Sequence, residues 1–497
     1  MNNIQGSYRQ IMKATSIFGG VQVFNIFISL IRSKFVAVLL GPIGFGILGM
    51  LTATISMVSA LTNFGLGTSA IKDISEAHAS GNLNRVSVMV SVFKKLVVIT
   101  GFIGTVLTLA FASVLSEITF GNREYTWAFI WISITLLINQ LNVGQSVMLR
   151  ATRQIKPLAK SGMLGSVLGL IFTLPLYYLF ELNGIVPGII ISAFCTYIAT
   201  WYYARKLNLC QVPVPYPIVL AEGKGMLKMG FLLSLSVLIG AGTSYLVRLY
   251  INSKGGIEEV GLYNAGFAII NTYVGLIFTA MATDYYPRLS AVSKSNSECR
   301  TIINHQAEIA ILILSPIILV LFVFINWLVI ILYSSQFILV NDMILYAALG
   351  MFFKAVSWAI GFIFLAKGAL KVFFLSELLA NTYIIALNII GYKYFGLAGM
   401  GLSFLISYLL VLIQVYYISK IKYEFTFSKE IVKIFIVQFS LAVTCLISVK
   451  LLSGIYSYSI GILFICVSAI LAWKELDSKL DLKSALINAK SRFRKVS

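Results

Sequence analysis

The chain has 497 residues, 59% hydrophobic and 11% charged, far from the roughly 45 to 50% apolar and 25% charged of soluble domains. A mean hydropathy of +0.91 excludes a water-soluble fold, because no single core could hide that much apolar surface. The formal net charge of +20 raises nucleic acid as a partner, and the placement of those charges argues against it.

Fourteen apolar segments are long enough, at about 1.5 Å per helical residue, to cross a hydrocarbon core of about 30 Å. They are continuously apolar, without strand alternation, so helices rather than a barrel satisfy the backbone. The first predicted span, 11–40, carries Gln22, Asn25, Ser29 and Arg32 at helical spacing, which gives it one polar face; Lys34 lies on another. The segment Gly41-Pro42-Ile43-Gly44-Phe45-Gly46 leads into the second span, 44–70, and His78 falls in the loop beyond. Spans 90–118 and 125–149 follow, the latter with Asn139, Asn142 and Gln145, then spans 158–180 and 184–204. Pro213, Pro215 and Pro217 forbid a continuous helix and mark a linker at 205–225.

The seventh span, 226–252, repeats the pattern of the first: Ser234, Ala241, Ser244, Arg248 and Asn252 form a stripe ending in an arginine. Span 258–287 holds Asp284 near its end, and span 302–334 holds Glu308 near its start. Lys354, with Trp358 one turn on, lies near the middle of span 341–367, and Glu377 lies early in span 372–392. Spans 396–420, 431–450 and 455–473 and a basic tail complete the chain.

Of 38 basic residues, 30 fall in alternate loops and termini, whereas Arg123, Lys254, Lys393 and Lys450 alone fall in the opposite loops. This positive-inside pattern predicts that both termini are cytoplasmic, and it makes the basic charge an insertion signal with affinity for anionic lipid. The remaining cations, Arg32, Lys34, Arg248 and Lys354, lie within spans, where ionisable groups normally face a cavity or a partner. Snorkelling to the headgroups competes as an explanation for Arg32, Arg248 and above all Lys34; Lys354 has the least access to either surface. The acids Glu377, Glu308 and Asp284 are too few to balance them, leaving charge pairing (Lys354 with Glu377) or ion coupling as their roles. The expected cleft is therefore cationic and suited to phosphate oxygens through paired arginine donors. Its candidate lining is Arg32, Arg248, Lys354, Asn25, Ser29, Asn139 and Ser244.

The halves repeat in the same orientation. Gly46 to Ser75 spans the same distance as Gly261 to Ser290; Ala151-Thr152-Arg153 opens one span as Ala366-Lys367-Gly368 opens another; and Tyr202-Tyr203 matches Tyr416-Tyr417. The reading is an all-α polytopic membrane protein: an N-lobe (1–204), the linker (205–225), a C-lobe (226–421), two additional spans (422–475) and a basic tail (476–497). The two six-helix lobes form a parallel pseudo-repeat around the cleft, with Arg32 and Arg248 as equivalent positions.

Gly44-Phe45-Gly46-Ile47-Leu48-Gly49 spells a dinucleotide fingerprint without the strand-turn-helix context such a site needs; tight turning and close helix packing explain it better. No Walker lysine, zincin or nucleophile-elbow motif has a credible context. Neither hydrolysis nor a cofactor is expected, and a proton or sodium gradient is the open choice of driving force. The five cysteines, Cys195, Cys210, Cys299, Cys445 and Cys466, and the two histidines, His78 and His305, form no metal or disulfide pattern.

The segment Lys354–Glu377, the early Leu39-Leu40-Gly41-Pro42-Ile43-Gly44 and the Tyr285-Tyr286-Pro287-Arg288 run resemble turn and junction segments of the Wzx-type O-antigen and enterobacterial-common-antigen flippases. These are members of the multidrug/oligosaccharidyl-lipid/polysaccharide exporter superfamily, and the resemblance covers about residues 10–420. It implies export of an undecaprenyl-diphosphate-linked glycan across the bacterial inner membrane, with polysaccharide polymerase and glycosyltransferases as partner proteins. Carried over, Arg32, Arg248 and Lys354 match basic cleft positions, and Glu377 the acid that follows. A multidrug or metabolite antiporter of the same superfamily is the alternative, but it calls for embedded acids. A polytopic polymerase or glycosyltransferase calls for a sizeable outer loop, which the chain lacks.

Overall fold

The computed structural model describes residues 2–79, 82–207 and 212–480, and all regular structure among them is helical. Cys210 and the tail from 481 onward lie outside the described residues. Ten helical segments are long and apolar enough to cross a membrane. Four of them, Gly20–Thr62, Ile155–Leu207, Ser234–Thr279 and Leu370–Tyr423, run to 43, 53, 46 and 54 residues, about twice what one crossing needs. Each of the four carries a break near its middle, at Gly41, at a 3-10 turn over Glu181–Gly184, at Gly256 and at Gly396, so the ten segments supply the fourteen passes expected. Hydrogen bonds between residues on either side of a break show the chain turning back. Arg248 meets Asn264 across Gly256, and the Ser403 hydroxyl donates to the Leu387 carbonyl across Gly396.

Gly41 and Gly256 both combine a positive φ (63° and 82°) with an extended ψ, a backbone that ends one helix, starts the next at an angle and strains any residue with a Cβ. Gly256 follows Gly41 by 215 positions, the offset that also separates Gly46 from Gly261. Contacts between the two hairpins are reciprocal at that offset. A Cβ on Gly46 would overlap the Ile257 carbonyl, and one on Gly261 would overlap the Pro42 carbonyl, while Gly49 lies against its own counterpart, Asn264. Residue i touching j′ while j touches i′ is the signature of two copies related by a twofold axis. The glycine-rich run is thus a seam between helices, not a phosphate cradle. The same offset corrects the sequence alignment of the arginines: Arg32 lies nine residues before its glycine and Arg248 eight, so the counterpart of Arg248 is Ser33.

The chain divides into two compact units, one of Met1–Ala265 with Leu332–Phe337 and one of Gly266–Ile331 with Ile338–Ser497. In the first unit, the six residues from the second half are firmly seated. Tyr333 and Phe337 are fully buried, with Phe45 edge-on to both at 5.5 and 5.6 Å, and the Tyr333 hydroxyl donates to the Ala265 carbonyl at 2.9 Å. Lys34 donates to the Tyr333 carbonyl at 2.6 Å, which gives that lysine a partner inside the protein.

In the second unit the last two helices, Lys429–Leu451 and Ile455–Leu480, are fastened at three levels. Lys479 pairs with the buried Glu308, which also accepts from Ser428; Gln438 binds the Ser315 and Ser468 hydroxyls in mid-helix; Lys450 reaches Asp342 at 3.0 Å and the Tyr346 hydroxyl at 2.7 Å. Polar ties of this kind, with the Phe352, Phe353, Phe435 and Phe439 rings between them, join helices in lipid, where apolar burial gives little drive to association.

Candidate functional site

Because the chain reverses at Gly256, residues eight before and eight after it face each other. The Arg248 Nε donates to Asn264 Oδ1 at 2.7 Å, and its Nη1 donates to the Ser244 carbonyl at 2.8 Å and to the Ser244 hydroxyl. Ser244 lies one turn before Arg248, so its backbone and side chain serve the same guanidinium. The Tyr263 ring lies 5.7 Å from the guanidinium carbon, closing a second side.

Arg248 so held faces a cavity of about 550 Å³ in the first unit. Arg32 enters the same cavity from the first helix, and Asn139, Thr52, Ser56 and Thr196 add polar groups among apolar ones. No acid lines it. Among the described residues no hydrogen bond or ion pair engages Arg32, which is half-buried. A buried cation without a counter-charge is costly in a low-dielectric setting, and two in one cavity repel; an anion with several acceptor oxygens relieves both costs.

Of the residues singled out from sequence, Arg32, Arg248 and Asn139 are brought to this cavity, and Ser244 serves it through Arg248. Asn25 and Ser29 lie on the helix of Arg32 but outside the lining, with Asn25 accepting from the Ser166 hydroxyl at 3.1 Å. Lys354 belongs to the second unit. Its ammonium donates to Asn271 Oδ1 at 3.0 Å and lies over the Phe404 and Tyr408 rings at 5.5 and 5.1 Å. Asn271 stands in a π-helical turn, Ile269–Val274, whose wider winding displaces it from the regular helix face. The ion pair expected between Lys354 and Glu377 is not formed among the described residues; Asn271 and the aromatic rings occupy the lysine instead. Asp284 pairs with Arg288 at 2.8 Å and Glu308 with Lys479. Trp358 packs on Phe278, Tyr285 and Phe362.

Asn264, Thr52, Ser56 and Thr196 were missed from sequence. Asn264 alone had a usable signal, since a polar residue sits there at the offset where the first hairpin has Gly49.

The fold defines the class: a helical protein with many segments long and apolar enough to cross a membrane. The chain belongs to the polysaccharide biosynthesis protein family, whose model matches residues 35–342. It is 21% identical over 361 residues to the lipid III flippases of Escherichia coli (strain K12) and Shigella flexneri, an alignment covering 70% of this chain and 83% of theirs. Among solved structures, an inward-facing MATE family multidrug resistance transporter of the MOP superfamily superposes with a TM-score of 0.69 at 15% identity, covering 81% of this chain and 94% of that one. The lipid II flippase MurJ, in an inward closed conformation, also reaches 0.69, at 14% identity, and covers 94% of this chain and 99% of that one. The portion of this chain left outside that second match is shorter than Lys429–Leu480, so the likeness extends into the last two helices.

Proposed function

We propose that this protein is a flippase that carries an undecaprenyl-diphosphate-linked oligosaccharide, an O-antigen or related repeat unit, from the cytoplasmic to the periplasmic leaflet of a bacterial inner membrane. The observation that carries the reading is the acid-free cavity with two arginines. A lipid diphosphate needs its water replaced by donors while its polyprenyl tail stays in lipid, and arginine supplies paired donors for phosphate oxygens. The relatives' names, lipid III flippase and lipid II flippase, support a lipid-linked glycan, and the family supports polysaccharide assembly as its setting. Alternating access, in which the two lobes rock so that the cavity meets each leaflet in turn, fits a parallel repeat. Lys354 is the second cationic station in this scheme.

The match to MATE transporters favours an antiporter as second reading; the sign of the cavity counts against it, because a cationic drug gains nothing from two arginines. Cytoplasmic termini and the linker at 205–225 follow from the loop charges. A cysteine placed at Pro215 is expected to resist an impermeant thiol reagent in intact cells and to react in inverted vesicles. Deleting the gene is expected to remove surface polysaccharide and to leave the lipid-linked unit accumulating on the inner leaflet. Normal surface polysaccharide in the deletion strain, with no accumulation, would overturn the reading.

A further inference from the structure

We propose that Asn264 is a positioning residue for the substrate anion, acting through Arg248, and that the glycine seam exists to hold it there. The inference rests on the reading that the cavity takes a diphosphate. Arginine only donates, so the orientation of the Asn264 amide is fixed by its partner: Oδ1 must face Arg248 Nε, and Nδ2 must face away. That Nδ2 is buried without a hydrogen-bond acceptor, against Gly49. An orphaned buried donor costs stability, so the protein tolerates this orientation for the sake of what Oδ1 does.

Seam and orientation depend on each other. Any side chain at position 49 would occupy the space of the Asn264 amide, and the close approach of Gly46 to Ile257 and of Gly261 to Pro42 brings the two helices near enough for contact. With Nε given to Asn264 and Nη1 to Ser244, Arg248 is fixed at two of its nitrogens, which leaves Nη2 uncommitted on a residue that lines the cavity. A guanidinium fixed before the anion arrives loses little entropy on binding it. The pseudo-symmetric position holds glycine, so the first hairpin has no such fixture, and Arg32 enters the cavity without one.

The test is a double-mutant cycle on the full-length protein in nanodiscs, with undecaprenyl diphosphate as probe and undecaprenol as the uncharged control. Asn264→Ala is expected to weaken diphosphate binding about tenfold when Arg248 is present, and by less than about twofold when Arg248 is already alanine. Crossed with Arg32→Ala, the same change is expected to be additive. Equal losses in the Arg248 and Arg248→Ala backgrounds would assign Asn264 a merely structural role and overturn the proposal, as would unchanged binding by Asn264→Ala. A readout free of substrate accompanies it. The Nε–H resonance of Arg248, assigned by its absence in Arg248→Lys, is expected to be protected from solvent exchange in the wild type and unprotected in Asn264→Ala and Asn264→Ser. Retained protection in both variants overturns the positioning claim. If the wild type prefers undecaprenyl diphosphate no more than undecaprenol, the functional reading falls, and the resonance still decides whether Asn264 holds Arg248.

Discussion

The hairpins Gly20–Thr62 and Ser234–Thr279 break at glycines 215 positions apart and meet through reciprocal backbone contacts, yet they treat their arginines differently. In the second, Arg248 is gripped by Asn264 and Ser244; in the first, Arg32 reaches the same cavity from one residue out of register, and the position matching Asn264 is Gly49. One residue along a helix is about 100° of rotation, so a strictly symmetric pair could not share this arrangement. The repeat supplies the scaffold, and the departures from it supply a site with one fixed and one adaptable donor.

The sharpest test of that contrast is substitution of each arginine in turn. Arg248→Ala is expected to cut surface polysaccharide about a hundredfold at unchanged protein abundance, the size associated with truncating one side of a desolvated charge pair. Arg32→Ala is expected to cost about tenfold, as a donor whose place water or a neighbour can partly take. Lysine should rescue Arg32 better than Arg248, since a lysine at 248 has no Nε–H for Asn264 to hold. Equal rescue at both positions would erase the distinction between them.

Breaking the seam should harm both hairpins together. Gly46→Leu drives a side chain into the Ile257 carbonyl and is expected to destabilise the protein by about 3 kcal/mol, read as lost abundance and a lower Tm in detergent. A control of smaller effect lies in the second unit. Gln438→Ala removes the acceptor that the buried Ser315 and Ser468 hydroxyls share and leaves them only each other, at 3.0 Å; it should cost about 1 kcal/mol, lowering Tm while leaving the arginine contrast intact.

The smallest effect belongs to a loop-side pair in the first unit. Glu222 accepts from Arg85 at 2.9 and 2.8 Å, and that hydrogen bond first, with the arginine's charge, holds its carboxyl below the ordinary value of 4.5. A depressed carboxylate contributes stability above its unfolded value and loses it as pH falls through the folded one. Glu222→Gln should therefore lower Tm slightly at pH 7, by what about 0.2 to 1 kcal/mol produces for a largely exposed pair, and the gap should close as pH drops below 4.5.

Much of this was legible in the residues themselves. Apolar runs gave the passes because lipid leaves the backbone no alternative to helices. The glycine-anchored offset gave the repeat, and the two intramembrane arginines stood out because a charge at that depth needs a reason; both line one cavity, while Lys354, Asn25 and Ser29 do not. What the sequence concealed is register and partner choice. Arg32 and Arg248 read as equivalents because hydropathy tolerates a one-residue shift that rotates a side chain to another face. Lys354 read as the partner of Glu377 because charge is visible in a sequence, whereas the π-turn that brings Asn271 to it is not. Lys479 and Glu308, 171 positions apart, carry no local sign of their meeting.

The central claim, that two arginines in one acid-free cavity handle a lipid diphosphate, is tested most directly by reconstitution. Full-length protein and the Arg32→Ala, Arg248→Ala double variant, matched in Tm, would be placed in liposomes carrying an undecaprenyl-diphosphate oligosaccharide on the inner leaflet. Its appearance outside would be followed with a sugar-binding probe. The wild type is expected to expose the glycan and the double variant to stay at the rate of empty liposomes; exposure by the double variant at the wild-type rate would contradict the account.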